Sequence, residues 1–100
     1  MIRHIVMWRI KDDCKDGDKK ATALLLKEEL ESLIGKIDGL VSLQVGVNVN
    51  TTPAAYDLVL VSEHHTLRDL QFYQDHPDHL AVAALVKAAT KERVVVDYGF

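Results

Sequence analysis

Five histidines occur in this chain, and the residues best suited to chemistry form one short stretch: Tyr73, Asp75, His76, Pro77, Asp78 and His79. Proline suits the first position of a helix, because the amide hydrogen it lacks would have no partner there. With Pro77 in that place, His76 becomes the capping residue and His79 the third helical one, roughly on the same side one turn away. Histidine exchanges protons near neutrality and a tyrosine hydroxyl orients or protonates an oxygen, so Tyr73 and His79 are competent as an acid/base pair. A plain structural arrangement meets the same spacing, with His76 capping the helix and His79 filling space beside Tyr73. Spacing alone leaves both open.

His4 is the second candidate. Residues 2–10 alternate as a strand, with Ile2, His4, Val6, Trp8 and Ile10 on one face and Arg3, Ile5, Met7 and Arg9 on the other. A polar ring on so apolar a face must find a partner or line a cavity. If His4 shares a hydrophobic pocket with His79, the two make an acid/base site with Trp8 in its wall; otherwise His4 is a satisfied core histidine.

Other chemistries fare worse. His76 and His79 with Asp75 or Asp78 offer nitrogen and oxygen ligands close together, yet two histidines three apart are a weak signal. The sequence has no HExxH or EF-hand pattern, so no resident metal is expected and a weak divalent ion is the most that turn would take. His64 and His65 read as part of an exposed loop before Thr66, a helix-capping residue, and need no function. Gly35, Gly39 and Gly46 are too isolated for a phosphate loop, and Cys14 has only Lys11 and Lys15 nearby, which does not make a catalytic thiolate. No cofactor is expected.

The elements that must position these residues follow from periodicity. Residues 11–18 form a polar loop offering Asp16 or Asp18 as an N-cap. Ala23, Leu26, Leu30, Leu33 and Ile37 then make the stripe of an amphipathic helix running to about residue 37, where Asp38-Gly39 stops it. Residues 40–49 are a strand with Val41, Leu43, Val45, Val47 and Val49 on a face that must be buried, and 50–55, with Pro53, turn the chain back into an antiparallel strand over 56–62. A helical region carrying Leu67, Leu70, Phe72 and Tyr73 is interrupted by Pro77, which starts a helix reaching about residue 89. Residues 94–98 are the last strand. This order, βαββαβ, predicts an α+β ferredoxin-like fold, a four-stranded antiparallel sheet with both helical regions on one face. Ile5, Met7, Val59, Val61 and Val95 are spread over alternate faces, so some would meet water in a monomer. A homodimer closed through the open sheet face is the economical solution.

Composition sets the outer bounds. One hundred residues, 48% hydrophobic and 27% charged, suit one soluble domain over 1–100. Twelve basic against fifteen acidic residues, without a block of either sign, argue against a nucleic-acid partner. A lone cysteine cannot form an internal disulfide and suits a reducing compartment. Arg3, His4 and Arg9 interrupt the apolar start, so neither a signal peptide nor a membrane partner is expected, and the expected location is the cytosol.

Several segments together resemble a known family. They are Ile2-Arg3-His4-Ile5-Val6, the Gly39-Leu40 entry to Leu43-Gln44-Val45-Gly46-Val47-Asn48, the strand Tyr56-Asp57-Leu58-Val59-Leu60, the segment from Tyr73 to His79, and the closing Val96-Asp97-Tyr98. The chain is similar over nearly its whole length to the stress-responsive dimeric A/B barrel (Dabb) domain family, with Tyr-x-x-His-Pro-x-His as the most specific feature. The resemblance implies a homodimer whose two sheets form an α/β barrel. Many members look like stress-associated proteins without a known reaction, which implies a non-catalytic stress-response or stability role as one alternative. A plant relative, olivetolic acid cyclase, closes and aromatises a polyketide without a cofactor. By that resemblance His79 would be the general base, Tyr73 its oxygen-binding partner and His4 a pocket residue, around a small aromatic or polyketide-like molecule. The cyclase carries a further pocket histidine on its third strand, and residues 56–62 hold none.

Overall fold

The computed structural model describes residues 1–13 and 18–100. Its elements are β1 (Ile2–Ile10), α1 (Lys19–Glu31), β2 (Leu40–Val47), β3 (Leu58–His64), α2 (Leu67–Asp75), α3 (Pro77–Ala89) and β4 (Thr90–Gly99). The four strands form one sheet in the order β2-β3-β1-β4, every pairing antiparallel, as the predicted ferredoxin-like fold requires. Among the described residues, no helix is long and apolar enough to cross a membrane.

The strand that opens the chain lies inside the sheet. β1 pairs with β3 on one side and β4 on the other, so Ser62, His4 and Asp97 fall in one row across three strands. Residues directly opposite share a face. The helices cover the face carrying Val6, Trp8 and Ile10 of β1 and Leu58 and Leu60 of β3, against Leu26 and Leu30 of α1 and Val82 and Val86 of α3, all buried. Hiding side chains of this size stabilises the fold by roughly 1.5–3 kcal/mol each.

Four local expectations are corrected. α1 begins as predicted, with the Asp18 carboxylate accepting the Ala21 amide, but ends at Glu31 rather than near 37. Gly35 at φ +80° and Gly39 at φ +85° occupy left-handed backbone that no helix continues through, and tight bonds such as Leu33 N to Leu30 O and Lys36 N to Leu33 O turn the chain instead. Leu33 and Ile37 still reach the core from these turns. Asp16, the other proposed cap, lies outside the described residues, as do Cys14 and Gly17.

β2 stops at Val47. A register shift between Leu40 and Ser42 turns Val41 outward, and Val49, past the strand end, is 94% exposed; of the predicted face only Leu43 and Val45 are fully buried. β3 lies two residues later than expected, and β4 begins at Thr90 because β1 pairs with it along its full length.

The open face carries Ile5, Met7, Val59 and Val61, joined from β4 by Val94 and Val96, which lie opposite Met7 and Ile5. Val96 is 62% exposed. Val95 points the other way, opposite Val6.

Candidate functional site

His4 is 3% exposed, and its Nδ1 lies 2.5 Å from Oδ1 of Asp97, its cross-strand neighbour. A carboxylate only accepts, so Nδ1 is the donor, and in the tautomer this bond selects the lone pair lies on Nε2. His79, in the first turn of α3, is held likewise: its Nδ1 donates to the carbonyl of Gln74 at 3.0 Å, which again leaves Nε2 as the basic nitrogen. Desolvation by burial is the main cause holding the His79 imidazole below its ordinary pKa, partly offset by the Gln74 bond and reinforced by the nearby charge of Arg93.

Tyr73 lies beside His79. Its ring centroid is 4.5 Å from that of His79, the residue is 1% exposed, and its hydroxyl is a buried group without a hydrogen-bond partner among the described residues. Burial pushes its pKa up to about 12, so it stays a neutral phenol with a hydrogen to donate. An unsatisfied buried hydroxyl costs about 1–3 kcal/mol and calls for an explanation.

Tyr73 also lines a cavity of about 600 Å³, bounded by the inner face of the sheet, Leu30 of α1 and the length of α3. His4, Trp8, Tyr73 and His79 all line it, with Val6 and Leu60 in the apolar wall and Lys87, Lys91, Glu92 and Arg93 at the exposed rim. Residues far apart in sequence therefore meet in one chamber. His76 is not in the wall: it caps α3, its Nδ1 accepting the Asp78 amide at 3.1 Å. It stands 3.9 Å from the Asp78 carboxylate, but His79 turns its Nδ1 to Gln74, and the described residues bring no three metal ligands together.

Two residues escaped the sequence reading. His64, expected in an exposed loop, is the last residue of β3 and fully buried. The alternation Leu58, Leu60, Ser62 simply runs one step further onto the covered face, where His64 pairs with Ile2 and Leu40. Its Nε2 lies 2.9 Å from Ser62 Oγ, while Nδ1 has no partner among the described residues, and its ring is 5.1 Å from that of Tyr73. Desolvation lowers its pKa to about 4. The third strand thus does carry a histidine, behind the chamber rather than in its wall. Asp97 is the other omission; a carboxylate within the run Val94, Val95, Val96 was the available signal, but only strand register shows that it meets His4. His65 is exposed, as expected.

Residues 2–100 match the Stress responsive A/B Barrel Domain family, and the chain belongs to it. It is 24% identical over 107 residues to the stress-response A/B barrel domain-containing protein DABB1 of Arabidopsis thaliana, covering 98% of this chain and 46% of that protein. The chain therefore spans about half the length of this curated relative. A dimeric protein of unknown function and ferredoxin-like fold from Bacteroides fragilis is 32% identical and superposes with a TM-score of 0.84 over 99% of this chain and 95% of its own. The hydroxynitrile lyase of Passiflora edulis shares the fold, with a TM-score of 0.80 at 19% identity over 97% of this chain and 90% of the lyase.

Proposed function

We propose that this chain works as a homodimer whose pocket binds a small aromatic or polyketide-like molecule and moves protons on it, cyclase-like, without a cofactor. The observation that carries the reading is Tyr73, whose hydroxyl is buried and unpartnered among the described residues, lining one cavity with two histidines whose Nδ1 atoms are both already engaged. The roles follow from the hydrogen inventory. Tyr73 donates to a substrate carbonyl oxygen, which takes up negative charge when the adjacent carbon loses a proton to Nε2 of His79. His4, kept in one tautomer by Asp97, offers a second lone pair to orient a substrate hydroxyl. Proton transfer is all that these groups are asked to do.

The dimer rests on the open face, where Ile5, Met7, Val59, Val61, Val94 and Val96 form a continuous apolar surface. The dimeric relative from Bacteroides fragilis supports it. The fold shared with a lyase supports only that this architecture can house an enzyme. A reducing cytosol is the proposed location, in keeping with a single cysteine.

A second reading, a non-catalytic stress or stability protein, draws on His64, whose buried ring bonds Ser62 and does not line this cavity. Substitution separates the two. The enzymatic reading expects His79→Ala and Tyr73→Phe to abolish turnover and weaken binding across a metabolite panel. Unchanged binding and turnover, with a lowered melting temperature alone, would favour the structural role.

A further inference from the structure

The rim of the cavity carries more positive charge than its partners among the described residues satisfy. Four charged residues surround the opening, and two are already engaged: Lys91 bonds Asp12 at 2.8 Å and Glu92 bonds Arg9 at 2.7 Å. Lys87, in the last turn of α3, and Arg93, opposite Trp8 on the covered face of β4, have no ion pair among the described residues. Behind them the wall is apolar as far as Tyr73 and the two histidines. Arg93 is near enough to His79 for its charge to disfavour the imidazolium. A site of this form is polarised end to end, with cations at the mouth, an apolar middle and proton-transfer groups within.

We infer that the pocket's ligand is an organic anion, an apolar ring or chain bearing one anionic oxygen group, carboxylate or phosphate, which docks on Lys87 and Arg93 while the uncharged end reaches Tyr73 and His79. The inference rests on the proposed function and adds the ligand's charge and orientation. A guanidinium and an ammonium at the mouth bind such a group by charge-assisted hydrogen bonds, and a second charged or strongly polar group further along the molecule would be penalised by the apolar wall. Docking at the rim also fixes which end of the molecule meets the base.

Calorimetric titration with 2-naphthoate, 2-naphthyl phosphate and the neutral 2-naphthamide tests this, with the indole resonance of Trp8, the sole tryptophan and a wall residue, reporting occupancy. An anion should bind about tenfold or more tightly than the amide, and Lys87→Gln and Arg93→Gln should each weaken it roughly five- to tenfold while leaving the amide unchanged. The tighter of the two anions identifies the ligand as an acid or a phosphate ester. Equal binding of amide and anions, unaltered in both variants, overturns the anion inference and leaves the pocket reading standing. If Trp8 does not respond to any of the three at millimolar concentration, the pocket reading itself falls and takes this inference with it.

Discussion

Nδ1 of His4 lies 2.5 Å from Oδ1 of Asp97, two residues at opposite ends of the chain brought side by side by the antiparallel seam between β1 and β4. The contact sets which nitrogen of a pocket histidine holds the lone pair. Replacing Asp97 with Ala should therefore leave the His4 ring a mixture of tautomers, visible in its nitrogen chemical shifts. It should also cost about 1–3 kcal/mol of stability for the lost charge-assisted bond. A His4 spectrum identical to that of the parent would show that Asp97 does not control the ring.

Tyr73→Phe separates stability from function. The hydroxyl has no partner to lose, so its removal should leave thermal stability unchanged or raise it by about 1 kcal/mol. Ligand turnover should nevertheless fall by about a hundredfold or more, the usual effect of deleting a donor to a developing oxyanion. A destabilised variant with full activity would reverse the assignment.

His64 predicts how the protein responds to acid. Its pKa is lowered from 6.5 to about 4 in the fold, so between those values the unfolded chain binds a proton that the folded protein does not. Stability is then intact above about pH 6.5 and is lost as the pH falls toward 4. The loss amounts to about 2 kcal/mol by pH 5 from this group. Chemical denaturation at pH 7 and pH 5 should show the decline, and His64→Phe should flatten it; an equally steep decline in the variant would assign the effect elsewhere.

On the open face, Val96→Asp should convert the dimer to a folded monomer in analytical ultracentrifugation. Val96 is 62% exposed and lies opposite Ile5, beside Val94 and Met7, so the new carboxylate enters the apolar centre of the face if two sheets close on each other. A parent protein that sediments as a monomer at micromolar concentration removes the dimer from the proposed function.

The two left-handed glycines should differ in cost. A Cβ at Gly35 meets no atom within 4 Å, so Gly35→Ala carries only the backbone penalty of about 1–2 kcal/mol. At Gly39 the same atom would sit 2.8 Å from Cγ and 2.9 Å from Cβ of Asp69, pressing β2's entry against α2, and Gly39→Ala should cost about 1–3 kcal/mol more. Equal melting temperatures would contradict the close approach.

Local chemistry made much of this protein readable in advance. Pro77 marks the start of α3 because its ring suits a first turn and nowhere deeper, and His76 and Thr66 cap their helices as their side chains suggest. The strand alternation of β1 put His4 and Trp8 on the covered face, and the order of elements specified the sheet. Periodicity was less reliable at element ends. Leu33 and Ile37 kept the helical spacing although the helix had already ended at Glu31, and β3 continued past Ser62 to bury His64.

Residue types and their spacing determined which side chains could do acid/base work and which face each would occupy, since both depend on neighbours a few bonds away. That His4, Tyr73 and His79 line one chamber, that Asp97 engages the His4 ring and that Lys87 and Arg93 stand at its mouth depend on strand register and helix placement. Those are set by how distant segments fill a shared core, a long-range balance of burial that no local pattern encodes.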